Sequence, residues 1–233
     1  MRLFRLLLLS LWAVACGAQA DMPDYQVFPA KGTQLLLWMS SERGRSEPEV
    51  KAAQELAAQG VEVWSLDAVN AYFLPPLPHS MDAVPRQDIA NWLHAALATG
   101  KQVGVFAVAR AAVPVLTAAS QLEPDQRARI SVLLMQPNLY TVAEPLAAPD
   151  YLDVGDLSGL RIRVLQPRRS AAMPWLPGLL HHLDMHGATA SHEILENLRE
   201  GYWAREAPTD FEVAEGRHLG GLLLHELEAM GQK

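Results

Sequence analysis

The chain has 233 residues with 19 basic and 26 acidic side chains, a formal net charge of −7, and one cysteine, Cys16. An acidic balance with no basic stretch argues against nucleic acid and anionic membranes as partners. One cysteine excludes intrachain disulfides and multi-thiolate metal sites, and the length suits one domain with its own core.

Residues 1–20 read as a targeting segment. Arg2 and Arg5 supply its positive start, and residues 6–15 form an apolar stretch too short to span a bilayer. Ala18-Gln19-Ala20 fits an A-x-A cleavage site, which leaves residues 21–233 as a single domain of formal charge −9 (17 basic against 26 acidic). Ala13-Val14-Ala15-Cys16-Gly17 also resembles a lipobox, with Cys16 as the acylated residue. The two addresses are a soluble periplasmic protein and one lipid-anchored to a bacterial envelope membrane. No later stretch approaches the ~20 apolar residues of a membrane helix.

In chain order, residues 25–28 are a short strand-like lead. Residues 33–39 (TQLLLWM) are a continuous apolar run, as expected of a strand buried on both faces. Residues 47–59 space alanines and leucine helically, with Pro48 in the first turn and Gly60 as the stop. Residues 61–66 (VEVWSL) are the next strand, closed by Asp67. Four prolines in residues 70–85 exclude a regular helix there, and residues 88–99 are amphipathic. Strand 102–108, helix 110–122 with Pro114 near its start, and strand 129–135 follow. A polar, proline-marked excursion over 141–157 precedes strand 160–165, helix 175–186, strand 188–198, loop 202–210 and a final helix over 215–230. Alternating strands and helices, several strands apolar throughout, predict a three-layer αβα domain with a mainly parallel sheet. Functional groups in such sheets collect at the carboxyl ends of the strands.

One of those ends sets the question. Residues 102–108 turn directly into a small-residue helix, the setting of the nucleophile elbow G-x-S-x-G. The five elbow positions here are Ala107, Val108, Ala109, Arg110 and Ala111. With the stretches 35–43, 61–67 and 103–112, this order of elements resembles the α/β-hydrolase superfamily. The resemblance implies a nucleophile at 109, an acid after strand 160–165, a histidine before the last helix and an oxyanion loop after an early strand. Ala109 has no nucleophilic atom, and Gln166, Pro167, Arg168 and Arg169 offer no carboxylate. His218 stands where the resemblance puts the base, and Ser40-Ser41-Glu42 where it puts the oxyanion loop. A degenerate, non-hydrolytic member follows from this: a ligand-binding or accessory protein of the envelope. The alternative is an ester or thioester hydrolase with a relocated nucleophile, Ser41 or Ser40, and His218 as base.

The remaining candidates are strand-end residues. Asp67 either meets a ligand or caps a helix. Arg110, Arg168 and Arg169, near one rim of an acidic protein, suit a small anionic ligand such as a carboxylate or phosphate. Glu42, Gln136, Asn138 and Gln166 would add hydrogen bonds. His182 and His186 share an i, i+4 spacing and, with His181 and His192, invite a metal reading, but no HExxH accompanies them. No metal and no cofactor is expected. Trp38, Trp64, Trp92 and Trp175 suit the core, with Trp175 and Trp203 also placed as pocket walls. The proline-rich residues 74–85 would be the contact for an envelope protein partner.

Overall fold

The computed structural model describes residues 22–141 and 147–231. Residues 1–20, expected to be a targeting segment, with Cys16 among them, and residues 142–146 of the polar excursion lie outside these described residues. Seven strands form one sheet: β1 (Gln26–Phe28), β2 (Gln34–Met39), β3 (Val61–Leu66), β4 (Gln102–Val108), β5 (Ile130–Met135), β6 (Arg161–Pro167) and β7 (Thr189–Leu195). Their order is β1-β3-β2-β4-β5-β6-β7, and every pairing is parallel except β1 with β3.

The uniform apolarity of the central strands has a direct cause. Side chains alternate between faces with a period of two, and both faces are covered. Leu35, Leu37 and Met39 of β2 join one core, while Leu36 and Trp38 join the other. The first core lies under α3 (Arg86–Ala98), α4 (Ala112–Ala119) and α6 (Leu176–Met185). The second lies under α1 (Glu47–Ala58) and α8 (Leu219–Gly231). α8 sits so close to β4 that a Cβ on Gly104 would come within 2.4 Å of Leu227 Cδ2.

Several boundaries differ from the sequence expectation for local reasons. The proline-rich stretch holds a four-residue α2 (Ala68–Ala71) and a 3-10 turn, Pro78–Ala83. The elbow helix opens as a 3-10 turn, Ala109–Ala111, so Pro114 falls in the first turn of α4, where its missing N–H costs nothing. A short α5 (Pro124–Arg127) precedes β5. The last helix is two: Thr209 and Glu212 form a capping box that starts α7 (Asp210–Arg217) early, and the chain breaks at His218 before α8. His218 therefore closes one helix rather than opening a loop over the sheet.

Candidate functional site

The elbow exists as backbone. Ala109 directly follows β4 with φ of +52°, a left-handed conformation that costs a non-glycine residue about 1–2 kcal/mol. It is partly exposed, and its carbonyl accepts a hydrogen bond from Asn138 N–H at 3.1 Å. The pairings β2·β4, β4·β5 and β5·β6 end at Met39↔Ala107, Val108↔Met135 and Met135↔Leu165. Continuing the register one step sets Ser40 level with Val108, Ala109 with Gln136, and Gln136 with Gln166. Gln136 shares the strain, with φ of +45°, and its Oε1 accepts from Gly201 N–H at 2.8 Å.

The arginines do not ring an open pocket. Arg110 is buried, and its guanidinium is held in a two-pronged pair with Asp82, Nε to Oδ1 at 2.8 Å and Nη2 to Oδ2 at 2.7 Å. Its Nη1 donates to the Tyr140 carbonyl at 2.5 Å and to Asn138 Oδ1 at 3.4 Å. Arg168 is occupied by Glu196 on the next strand end, at 2.6 Å. Arg169 is exposed, and its backbone N–H donates to the Leu198 carbonyl. Sequence alone could not show this, because Asp82 lies 28 residues from Arg110.

Asp67 caps α2, accepting from Asn70 N–H and Nδ2 and from Arg45 N–H. Its oxygens are committed to holding the 44–45 turn. Ser41 Oγ accepts from Arg43 N–H at 3.2 Å within its own loop. Ser40 is fully buried, and its Oγ has no partner among the described residues; the same holds for Glu42 Oε2, Tyr140 Oη and Gln166 Nε2. His218 is exposed and its imidazole makes no hydrogen bond among the described residues, so the structure does not join it to Ser40 or Ser41. A close serine–carboxylate contact lies elsewhere: Ser170 Oγ donates to Glu200 across the ends of β6 and β7. It also accepts from Ala172 N–H at 3.0 Å, as a turn-forming serine does.

The histidines of α6 hold backbone. His182 Nε2 lies 3.0 Å from the Leu152 carbonyl and His186 Nδ1 2.7 Å from that of Gly155, pinning the end of the polar excursion. Burial pushes the His182 pKa down, and the neighbouring His186 adds to this. Among the described residues no group of three or more His, Cys, Asp or Glu is placed to hold a metal.

A surface cleft lies away from the elbow. It has a volume of about 240 Å³ and lies between α1, the Tyr202–Pro208 turn and α7. Trp203 lines it as a wall, and Tyr202, Lys51 and Arg217 line it without any motif to announce them. None of Ser41, Ala109, Arg110, Gln136, Gln166 or His218 is among its lining residues. At its edge Glu212, wholly buried, is bound by Arg199 and by Thr209 N–H, which hold its carboxyl at about 2.

The sequence matches no protein-family model and no curated protein. Solved structures do share the architecture. An esterase from the archaeon Pyrobaculum calidifontis superposes with a TM-score of 0.62 at 11% identity, over 91% of this chain and 85% of the esterase. A dienelactone hydrolase-like promiscuous phosphotriesterase from metagenomic libraries gives 0.56 at 12% identity, over 85% and 88%. A hormone-sensitive lipase from a metagenome library gives 0.55 at 15%, over 86% and 79%. The fold is of the α/β-hydrolase type. At such identities the likeness is one of fold, so the activity must be argued from this chain's own residues. In this fold Ala109 forms the turn from β4 into the helical segment that follows.

Proposed function

We propose that this is an exported α/β-hydrolase-fold protein that binds rather than cleaves, a ligand-binding or accessory protein of the bacterial envelope. The observation that carries the reading is the elbow itself: Ala109 keeps the strained backbone, φ of +52°, without an oxygen to deprotonate. Acyl transfer by this route needs a hydroxyl and a base in hydrogen-bond reach of it. Two further facts support the reading. The end of β6 carries Gln166 and no carboxylate, and His218 is exposed without a partner among the described residues. Export rests on residues 1–20, with cleavage after Ala20 or acylation of Cys16 as the two routes. An envelope protein partner would meet the proline-rich 74–85 stretch, beside which Phe73 is 94% exposed.

The test is to incubate the purified protein with a panel of nitrophenyl esters and thioesters and with a fluorophosphonate. The expected result is no turnover and no labelled serine. Turnover that disappears in His218→Ala, or label on any serine, overturns the reading.

A second reading is a serine-type ester or thioester hydrolase with a relocated nucleophile. The fold comparisons favour it over the first, since the esterase, phosphotriesterase and lipase above are all hydrolases. In its support, Ser40 and Ser41 directly follow β2, the strand paired with β4, so they lie at the same edge of the sheet as Ala109. Its mark would be fluorophosphonate label on Ser41 or Ser40 with turnover dependent on His218.

A further inference from the structure

We infer that the cleft between α1, the Tyr202–Pro208 turn and α7 is a binding site for a small organic anion with a planar apolar body. The inference deepens the binding reading above by giving the ligand a place apart from the elbow.

The walls select the body of the ligand. Tyr202 and Trp203 pack edge to face with ring centroids 5.0 Å apart, and Pro208 and Val213 also line the cleft. Both residues are already largely buried, 2% and 8% exposed, so the apolar edge they leave at the cleft is rigid and costs little side-chain freedom to cover. At about 240 Å³ the space is below the 300–1,000 Å³ of drug-sized sites, so it suits one or two fused rings.

The charges select the other end. Two of the four charged groups at the cleft are already paired. Glu212 is bound by Arg199, and Lys51 pairs with Glu47 at 2.7 Å. Glu55 lies against the start of α8, so near that a Cβ on Gly220 would come within 2.7 Å of its Oε2; the helix amino terminus there favours negative charge. Among the described residues Glu55 makes no hydrogen bond or ion pair beyond that placement, and Arg217 is the one unpaired cation lining the cleft. An unpaired fork of donors beside an aromatic wall, in a protein of net charge −7, fits a carboxylate or a phosphate monoester carried on an aryl group.

The experiment is calorimetric titration of the purified protein with phenylacetate, naphthylacetate and benzyl phosphate, with phenylacetamide and acetate as references. Saturable binding of at least one aryl anion is expected, at least tenfold tighter than phenylacetamide and acetate. Arg217→Gln should weaken it about tenfold, Val213→Trp should abolish it by filling the cleft, and Arg86→Gln, an equal charge change on α3, should leave it unchanged. Melting curves show whether each variant is folded. Absence of binding by all three anions, equal binding of phenylacetamide, or wild-type affinity in a folded Arg217→Gln or Val213→Trp overturns the inference. Ester turnover is read separately, so this result and the non-hydrolytic reading can fail independently.

Discussion

Arg110 and Asp82 form a two-pronged ion pair one residue beyond the strained Ala109, with both nitrogen–oxygen distances below 3 Å. The arginine side chain is 8% exposed and the aspartate 37%. The pair fastens the 3-10 turn of the proline-rich stretch to the elbow. Removing Asp82 would leave a buried guanidinium with its main partner gone, which is costlier than never having had the pair. Asp82→Ala should lower stability by about 2 kcal/mol, toward the smaller end for such losses because the carboxylate is partly solvated. The double variant Arg110→Met/Asp82→Leu should recover most of this in urea unfolding. Equal destabilisation in both would mean that the loss does not come from a buried guanidinium left without its partner.

Residue 109 itself offers a stability test that does not depend on function. Glycine adopts positive φ freely, whereas alanine pays for it. After the entropy cost of glycine in the unfolded chain, Ala109→Gly should stabilise by about 0.5–1 kcal/mol. Ala109→Val should destabilise, and thermal melts of the three proteins decide it.

On the binding reading, a hydroxyl introduced at residue 109 should bring no chemistry. Ala109→Ser places a hydroxyl at the elbow, but among the described residues His218 is unpartnered and the end of β6 supplies no carboxylate. The variant should neither turn over nitrophenyl esters nor take up fluorophosphonate. Label at position 109 would reveal a base that this geometry does not provide.

His218 should be expendable. It is exposed, so His218→Ala should change stability by no more than about 0.5 kcal/mol. Ligand or partner binding should be unaltered as well. Loss of an ester-cleaving activity in this variant would revive the relocated-nucleophile reading.

The acid limb of the stability curve should belong to Glu212. Its carboxyl sits at about 2, against an ordinary 4.5, chiefly because Arg199 hydrogen-bonds its charged form. A depressed carboxyl stabilises fully above its unfolded value and loses that contribution as pH falls through its folded one. The melting temperature should therefore drop between pH 4.5 and 2, and Glu212→Gln should flatten that drop. Glu49 acts in the opposite sense: burial pushes its pKa up, so its protonation on acidification favours the fold.

The sequence by itself determined the layered αβα architecture, because period-two burial on both faces leaves a continuous apolar run that few other arrangements produce. Residues 61–66 and 102–108 coincide with β3 and β4, and residues 47–59 with α1 to within one residue. The elbow was legible too, since a buried strand that breaks directly into small helical residues has few ways to turn. What only the tertiary structure decided was who meets whom. Asp82 claims Arg110 from 28 residues away, Glu196 claims Arg168, and a capping box at Thr209 moves the last helices so that His218 becomes a surface cap. The cleft beside Trp203 was equally hidden, because it joins α1 to a turn some 150 residues later. Such pairings depend on three-dimensional proximity between oppositely charged or apolar groups, and proximity at long sequence separation leaves no periodic trace in the chain.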